Sequence, residues 1–399
     1  MGREPVTQAP RRGSPLVLAG AGAVLVLLAA LLFDWFGPHQ PGWIISTDRD
    51  FANYWLASRL VFSGDALEMF RGHEVYFAHM QAVFGPEAPW RNWSYPPSYL
   101  LLTWPLGLMP YSLSLVVFLS ATLVLYLHAV SITARRVEAS AVLVLVPFIA
   151  ANIIYAQNGF LIGALMLYGL GLRDTRPWLA GLAIGLLTVK PQLGLLLPLL
   201  LLYERRWTVI LSASVTTVAL VLLSSLLFGV EAWTGYIAET IPYQAFVMRE
   251  LGGSFLHLLL SVYGLLRLEG VDAAVALPLH FGFAVVALGA YGLSLWLVPD
   301  KDARSLCLVI ASLLITPYAL SYDLGALSAL AALWAFRQRS PVSAMGPQQL
   351  LFYLIAMLPL LQWSVAANLG LSLAPILLSA GFALLLYEFR SKRPAAGPV

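Results

Sequence analysis

Two carboxylates, Asp48 and Asp50, sit in the polar stretch "STDRD" directly after the first long apolar run of the chain. Phe51, Tyr54 and Trp55 follow at helix-like spacing. A carboxylate held at such a boundary can take the proton of a hydroxyl as a general base. Asp50 also has a plainer reading as the cap of the helix behind it, since Asp is a favoured N-cap. Further along, polar groups interrupt apolar stretches: Gln157 and Asn158 in "YAQNG", Lys190 before Pro191, and Tyr318, Tyr322 and Asp323 in "TPYALSYD". A cation near a membrane can stabilise a departing phosphate, and aromatic rings can stack on sugars. Together these parts suit transfer of a sugar from a lipid-linked phosphate to a hydroxyl. A phosphate leaves readily, so the chemistry needs no dedicated acid.

The elements that must position these groups are apolar helices. Hydrophobic residues make up 60% of the 399 residues and charged ones 11%, against roughly 25% charged in a soluble domain. Apolar runs long enough to cross a bilayer recur along the chain and do not alternate with period two, which excludes a β-barrel. The fold class is therefore all-α, a polytopic integral membrane protein of about 10–13 membrane helices. The net charge of +3 says little about partners, and nothing points to nucleic acid. One cysteine, Cys307, excludes internal disulfides and Cys-based metal sites.

Positive charge in short loops marks the cytoplasmic side. Arg11 and Arg12 place residues 1–14 there, ahead of an uncleaved first membrane helix at 16–33. Residues 37–96 then form a first external loop, with amphipathic helices in "DFANYWLASRLVF" and "ALEMFRGHEVYFAHMQAVF" and Trp43, Trp55, Trp90 and Trp93 suited to the headgroup layer. Residues 229–274 form a second external region, and 389–399 a cytoplasmic tail, the whole being one membrane-embedded domain. The stretch 306–336 begins and ends inside, so it must be two short helices broken at "TPYALSYD". Residues 178–203 lie between "RDTR" and "ERRW", as one span or as a hairpin turning at Lys190-Pro191. Residues 350–363 and 371–387 form a final pair, and parity between Tyr95 and Arg136 stays open.

No nucleotide-binding P-loop, H-E-x-x-H or G-x-S-x-G motif occurs. The chain resembles glycosyltransferase family 87, polytopic enzymes of the GT-C fold that use polyprenyl-phosphate sugars. The likeness runs in order through "DRDFANYWLASRLVFSG", "WSYPPSYLLLTWPLGLMP", "AQNGFLIGALML", "LAGLAIGLLTVKPQLGLLLPLLLLYERRW" and "TPYALSYDLGALSALAAL". The family's Asp, Tyr and Gly map onto Asp50, Tyr54 and Gly64, its K-P element onto Lys190 and Pro191, and its S/T-P element onto Thr316 and Pro317. Where many members carry His after that proline, this chain has Tyr322 and Asp323. The resemblance implies an inverting hexosyltransferase with Asp50 as base and Asp48 as its alternate. It implies Lys190, then Arg249, at the donor phosphate, mannose as the donor sugar and a glycan or glycolipid as acceptor. It places the enzyme in the cell inner membrane, acting on the non-cytoplasmic side. No cofactor is implied, and a divalent metal stays open.

Bland readings stand beside these. Lys190 can snorkel to an interface, Asp323 can close a helix break, and Gln157 and Asn158 can be structural. His257 is a candidate donor or acceptor contact, whereas His73 and His79, six apart, do not share a helix face. The rival class is a transporter or flippase of a lipid-linked or small polar solute, which also uses broken helices. The halves of the chain show no inverted self-similarity to support it.

Overall fold

The computed structural model describes residues 49–134, 144–337 and 345–391. Asp48, the first apolar run, residues 1–14 and residues 392–399 lie outside them. Among the described residues the chain is helical with no strand, apart from one isolated bridge between Leu259 and Leu320. Among the described residues four helices are long and apolar enough to span a bilayer: Tyr111–Thr133, Trp207–Phe228, Ala273–Leu297 and Ala374–Ser391. Much of their surface faces outward, with Leu226 and Val285 among the exposed side chains. Lipid, not water, solvates such a surface. The molecule is an all-α polytopic membrane protein. One long helix, Tyr111–Thr133, separates Tyr95 from Arg136, because "YPPSYLLLTWPLGLMP" forms only short helical turns over 97–108.

The remaining apolar segments are shorter, and three pairs turn back part-way. Helices α1 (Val146–Tyr155) and α2 (Gly159–Leu172) form the first hairpin. The second joins Pro177–Val189 to Pro191–Tyr203. The third joins α3 (Lys301–Ile315) to α4 (Gly325–Ala335). Ion pairs bring their charged ends together: Arg173 with Glu204 at 2.8 Å, Arg304 with Glu204 at 3.3 Å, Lys301 with Asp174 at 2.6 Å, Arg337 with Asp300 at 2.8 Å, and Arg206 with Asp174. "RDTR" and "ERRW" thus share one end of the molecule, and 178–203 is the hairpin rather than the span. The 14 residues of α2 reach about 21 Å from that end at 1.5 Å per residue, short of the roughly 30 Å hydrocarbon core. The tips therefore lie within the membrane depth.

Each break has a local cause. Ala156 is in the left-handed region at φ 50° and ends α1. Pro191 and Pro317 each lack an amide donor and push the preceding residue out of the helical basin. Accordingly Lys190 has φ −130° and ψ 71°, and Thr316 has φ −91° and ψ 118°. The last pair breaks differently: the expected span at 350–363 is two helices, Pro347–Ala356 and Leu358–Leu369, bent by 79° at Met357, with Pro359 in the first turn of the second helix, where its missing amide costs nothing.

Helix Phe51–Ser63 does not simply lie on a surface. Seven of its 13 residues are buried, Tyr54 among them, and the Trp55 indole donates to the Met109 carbonyl at 2.9 Å. Gly64 caps it at φ 87°, a left-handed conformation that favours glycine. The expected second helix of this region splits at Gly72 into a short turn, Ala66–Phe70, and His73–Phe84.

Small residues set the spacing between helices. A Cβ on Gly181 would come within 2.4 Å of Ser212 Cβ, and one on Gly185 within 2.4 Å of Thr216 Cβ, so the second hairpin rides on helix Trp207–Phe228. A Cβ on Gly159 would lie 2.0 Å from the Tyr322 carbonyl oxygen. That oxygen is backbone and cannot swing aside. Gly159→Ala is expected to cost about 1–3 kcal/mol through overpacking, lowering the melting point in detergent. Gly289→Ala, with nothing within 4 Å of its new Cβ, should melt like the parent.

The charged end also predicts a pH dependence. Burial pushes the Asp174 carboxyl up, but the hydrogen bond from Lys301 and the charges of Arg206, Lys301 and Arg173 outweigh it and hold the group below its ordinary value. Burial acts likewise on Asp300, where the Ala303 amide and the Arg337 guanidinium win. A lowered folded value means stability complete above the unfolded carboxylate range, about 3.9, and lost as the pH falls through the folded value. The melting point should stay level from about pH 8 to pH 5 and drop below about pH 4. A drop already complete by about pH 6 would contradict this assignment.

Candidate functional site

The three hairpin tips meet one another and the start of helix Phe51–Ser63. The Asp50 amide donates to the Tyr155 carbonyl at 3.3 Å, and the Arg49 guanidinium to the Ile153 carbonyl at 2.6 Å. The Asn152 side chain reaches the Tyr322 carbonyl at 3.3 Å, and the Thr316 hydroxyl reaches the Gln192 carbonyl at 3.3 Å. Lys190 Nζ donates to Asp323 Oδ1 at 2.5 Å and lies 5.0 Å from the centre of the Tyr322 ring. The sequence elements "KP" and "TP" are thus in contact, each on a different hairpin.

Asp50 occupies the N-cap position, yet its side chain makes no capping bond. Gln157 Nε2 donates to Asp50 Oδ2 at 2.6 Å, and Arg91 Nε stands 3.5 Å from Asp50 Oδ1. The Asp50 side chain is 39% exposed and that of Arg91 9%. Behind them, the Tyr54 hydroxyl donates to Gln157 Oε1 at 2.5 Å and meets the Tyr95 hydroxyl at 2.8 Å. Asn158 donates to the Tyr99 hydroxyl at 3.2 Å, while its Oδ1 is buried with no hydrogen-bond partner. Tyr155, Tyr318 and Tyr322 lie near enough to feel the charge of Asp50. The rings of Tyr155 and Tyr322 are 6.1 Å apart.

Asp50, Tyr54, Gln157, Asn158, Lys190, Tyr318, Tyr322 and Asp323 therefore gather in one cluster, as the sequence leads one to expect. His257 stands at its border: its ring meets Trp363 edge-on at 5.4 Å, Trp363 lies 6.3 Å from Tyr155, and its Nδ1 is buried with no hydrogen-bond partner. Arg249 is exposed at the end of helix Ile241–Glu250. Its carbonyl accepts from Arg267 at 3.0 Å, and no hydrogen bond or ion pair joins it to Asp50. His73 stacks on Tyr243 at 4.1 Å.

Two findings go beyond the sequence reading. Lys190 is matched by Asp323, so this pair adds no net charge. The cation that faces Asp50 is Arg91, from a loop whose tryptophans drew attention to the membrane interface. Arg49, Arg91 and Lys190 against Asp50 and Asp323 leave one positive charge among the described residues of the cluster. Among the described residues no three His, Cys, Asp or Glu converge as a metal site. A cavity of about 390 Å³ at the charged end is lined by Asp300, Trp334, Arg337 and Glu388 among others, and an apolar one of about 370 Å³ by Val61, Gly64, Leu101, Trp104 and Phe228 among others. Neither contains Asp50.

The described residues thus form a membrane-embedded helical bundle whose broken helices gather a carboxylate, cations and tyrosines. The profile of glycosyltransferase family 87 matches residues 93–317, more than half of the chain, and the chain belongs to that family. It is a membrane glycosyltransferase, taking a sugar donor and a glycan acceptor. The match includes Lys190, Pro191, Thr316 and Pro317 and leaves Asp50, Tyr54 and Asp323 outside it. No curated protein and no solved structure matches the chain.

A buried charge left without its partner is strongly destabilising, by about 3–5 kcal/mol. Lys190→Met should therefore lower the melting point sharply, because Asp323 stays behind. Asp323→Asn added to Lys190→Met should recover most of the loss. Equal melting points for the single variant and the parent would rule out the pair as a structural bond.

Proposed function

We propose that the protein transfers a hexose from a polyprenyl-phosphate donor to a hydroxyl of a glycan or glycolipid, with inversion at the anomeric carbon. The observation that carries this reading is the contrast between the two carboxylates of the cluster. The Asp323 side chain is 1% exposed and paired with Lys190, whereas that of Asp50 is 39% exposed with one oxygen turned to Arg91. Asp50 is the carboxylate that an incoming hydroxyl can reach.

In this reading the acceptor hydroxyl gives its proton to Asp50 as its oxygen attacks the anomeric carbon. The bond from that carbon to the phosphate oxygen breaks on the opposite face, and its electron pair leaves with polyprenyl phosphate. Arg91 beside the base and the Lys190 end of the cluster supply positive charge for that anion. The Arg91 guanidinium presents a planar donor fork that suits a phosphate. Asp48 stays an alternate base, and Tyr318 and Tyr322 line the donor side.

The prenyl chain needs apolar surface. The cavity between Val61, Leu101, Trp104 and Phe228 provides it, about 20 Å from Asp50 along helix Phe51–Ser63. Lys and Arg concentrate at the hairpin feet, in Arg173, Arg176, Arg205, Arg206 and Lys301, so the positive-inside rule puts that end in the cytoplasm. The site then opens toward the non-cytoplasmic face of an inner membrane. Mannose is the donor sugar in this proposal, and residues 1–399 act as a single domain.

The test is transfer by purified protein from radiolabelled polyprenyl-phosphate mannose, glucose or galactose to a panel of alkyl glycosides. Asp50→Asn is expected to lower the rate by about 10²–10⁴-fold with little change in melting point. The anomeric configuration of the product, read by NMR, should be opposite to that of the donor. Full activity of Asp50→Asn, or a product of retained configuration, would overturn the mechanism.

A further inference from the structure

The Gln157 side chain is buried, and its Oε1 also lies 3.4 Å from the Asn158 amide and 3.5 Å from the Tyr95 hydroxyl, both of which donate to it. Its Nε2 donates to Asp50 Oδ2 at 2.6 Å, and its Oε1 accepts from the Tyr54 hydroxyl at 2.5 Å. An ionised carboxylate only accepts hydrogen bonds, an amide nitrogen only donates, and an amide oxygen only accepts. With Asp50 ionised, as a base must be, this arrangement has one orientation. A flipped amide would set its oxygen against the carboxylate and its NH₂ against the Tyr54 hydroxyl. The Tyr54 hydroxyl is itself held by that of Tyr95 at 2.8 Å. The Asp50 backbone is fixed to the same turn, through its amide bond to Tyr155.

We propose that Gln157 is a positioning residue for the base: its amide, locked by Tyr54 and Tyr95, fixes Asp50 so that Oδ1 is the oxygen that receives the acceptor proton. This rests on Asp50 being the base. A glutamine side chain cannot take up the proton, so the row Tyr95, Tyr54, Gln157, Asp50 orients the carboxylate and does not relay its proton away.

The groups facing Asp50 are Arg91 from the 85–96 segment, Tyr155 from α1, and Tyr318 and Tyr322 from the third tip, while the neighbouring Arg49 is turned to the Ile153 carbonyl. Tyrosines stay neutral and arginines stay charged through the acid range. Asp50 is therefore the one carboxylate among these groups. Donation to the ionised form favours it, so removing the donor raises the pH at which activity is lost.

The experiment measures kcat and KM against pH for the full chain, with the polyprenyl-phosphate hexose and alkyl glycoside that support transfer. For Gln157→Leu, which keeps the side-chain volume, the acid limb of kcat/KM should move up by about 1–2 pH units. The plateau kcat should fall about tenfold while the donor and acceptor KM stay within about twofold. Tyr54→Phe, which deletes one hydroxyl and keeps the ring, should move the limb the same way by less, and it carries the test should Gln157→Leu not fold. The double variant should be no worse than Gln157→Leu alone, since both act through one amide. A stationary limb in both variants, additive effects, or a raised KM with unchanged kcat would overturn the proposal and make Gln157 a substrate contact or a packing residue. Full activity of Asp50→Asn would instead bring down the functional reading beneath it, so the two failures are distinguishable.

Discussion

Backbone that leaves the helical ladder inside a bilayer must find its hydrogen bonds within the protein. Among the described residues three hairpin tips leave the ladder at depth, and each is closed by a group from elsewhere. Thr316 reaches the carbonyl of Gln192, Asn152 that of Tyr322, and Ser261 that of Pro317 at 2.8 Å. The Leu260 amide serves the Ala319 carbonyl at 3.0 Å. The Lys190–Asp323 pair joins two of the tips, and Asp323 also accepts the Leu320 amide of its own turn at 3.3 Å. Isolated, either charge would be costly at this depth. Paired, they cross-link two hairpins that share no covalent neighbour.

The same requirement shapes the chemistry. Polar groups needed to close the tips are spent on one another, so few stay available to a ligand. Asp323 and Lys190 are occupied, and Asn152 and Thr316 are turned to backbone. Asp50 differs because it enters from outside the hairpins, on a helix that supplies it with no capping duty. Gln157 and Arg91 each face one of its oxygens, and its side chain stays partly exposed. The contrast between the enclosed acid and the accessible one follows from burial and partners, not from residue type.

Much of this was legible in the sequence because each break leaves a chemical mark. A proline inside an apolar run, or a polar cluster such as "YAQNG", marks backbone that must be sheltered. Lys190 and Asp323 stood out individually for that reason. Their pairing did not, since 133 residues separate them and no periodicity links one hairpin to another. Arg91, Tyr95 and Tyr99 stayed hidden for a different reason. They lie in and beside an irregular segment where neither helical nor strand spacing sorts inward from outward residues, and the tryptophans beside them suggest an interface. The spacing of Gly181 and Gly185 was the one readable sign that the second hairpin packs closely on helix Trp207–Phe228. The bend of the last pair had no such mark, because Pro359 sits in the first turn of a helix, a position proline also takes in unbroken ones.

The hairpins also constrain the order in which the molecule can be built. Each arm is too short to cross alone, and each carries a polar apex that lipid will not solvate. A long helix can be released into the bilayer by the insertion machinery as soon as it is made. A hairpin cannot settle until a protein wall exists to receive its tip. The first and second hairpins are synthesised long before Asp323, so the Lys190 apex waits for some 130 residues of chain. Biogenesis must shield that ammonium during the interval, and maturation ends as a late docking step in which the third hairpin seals the other two.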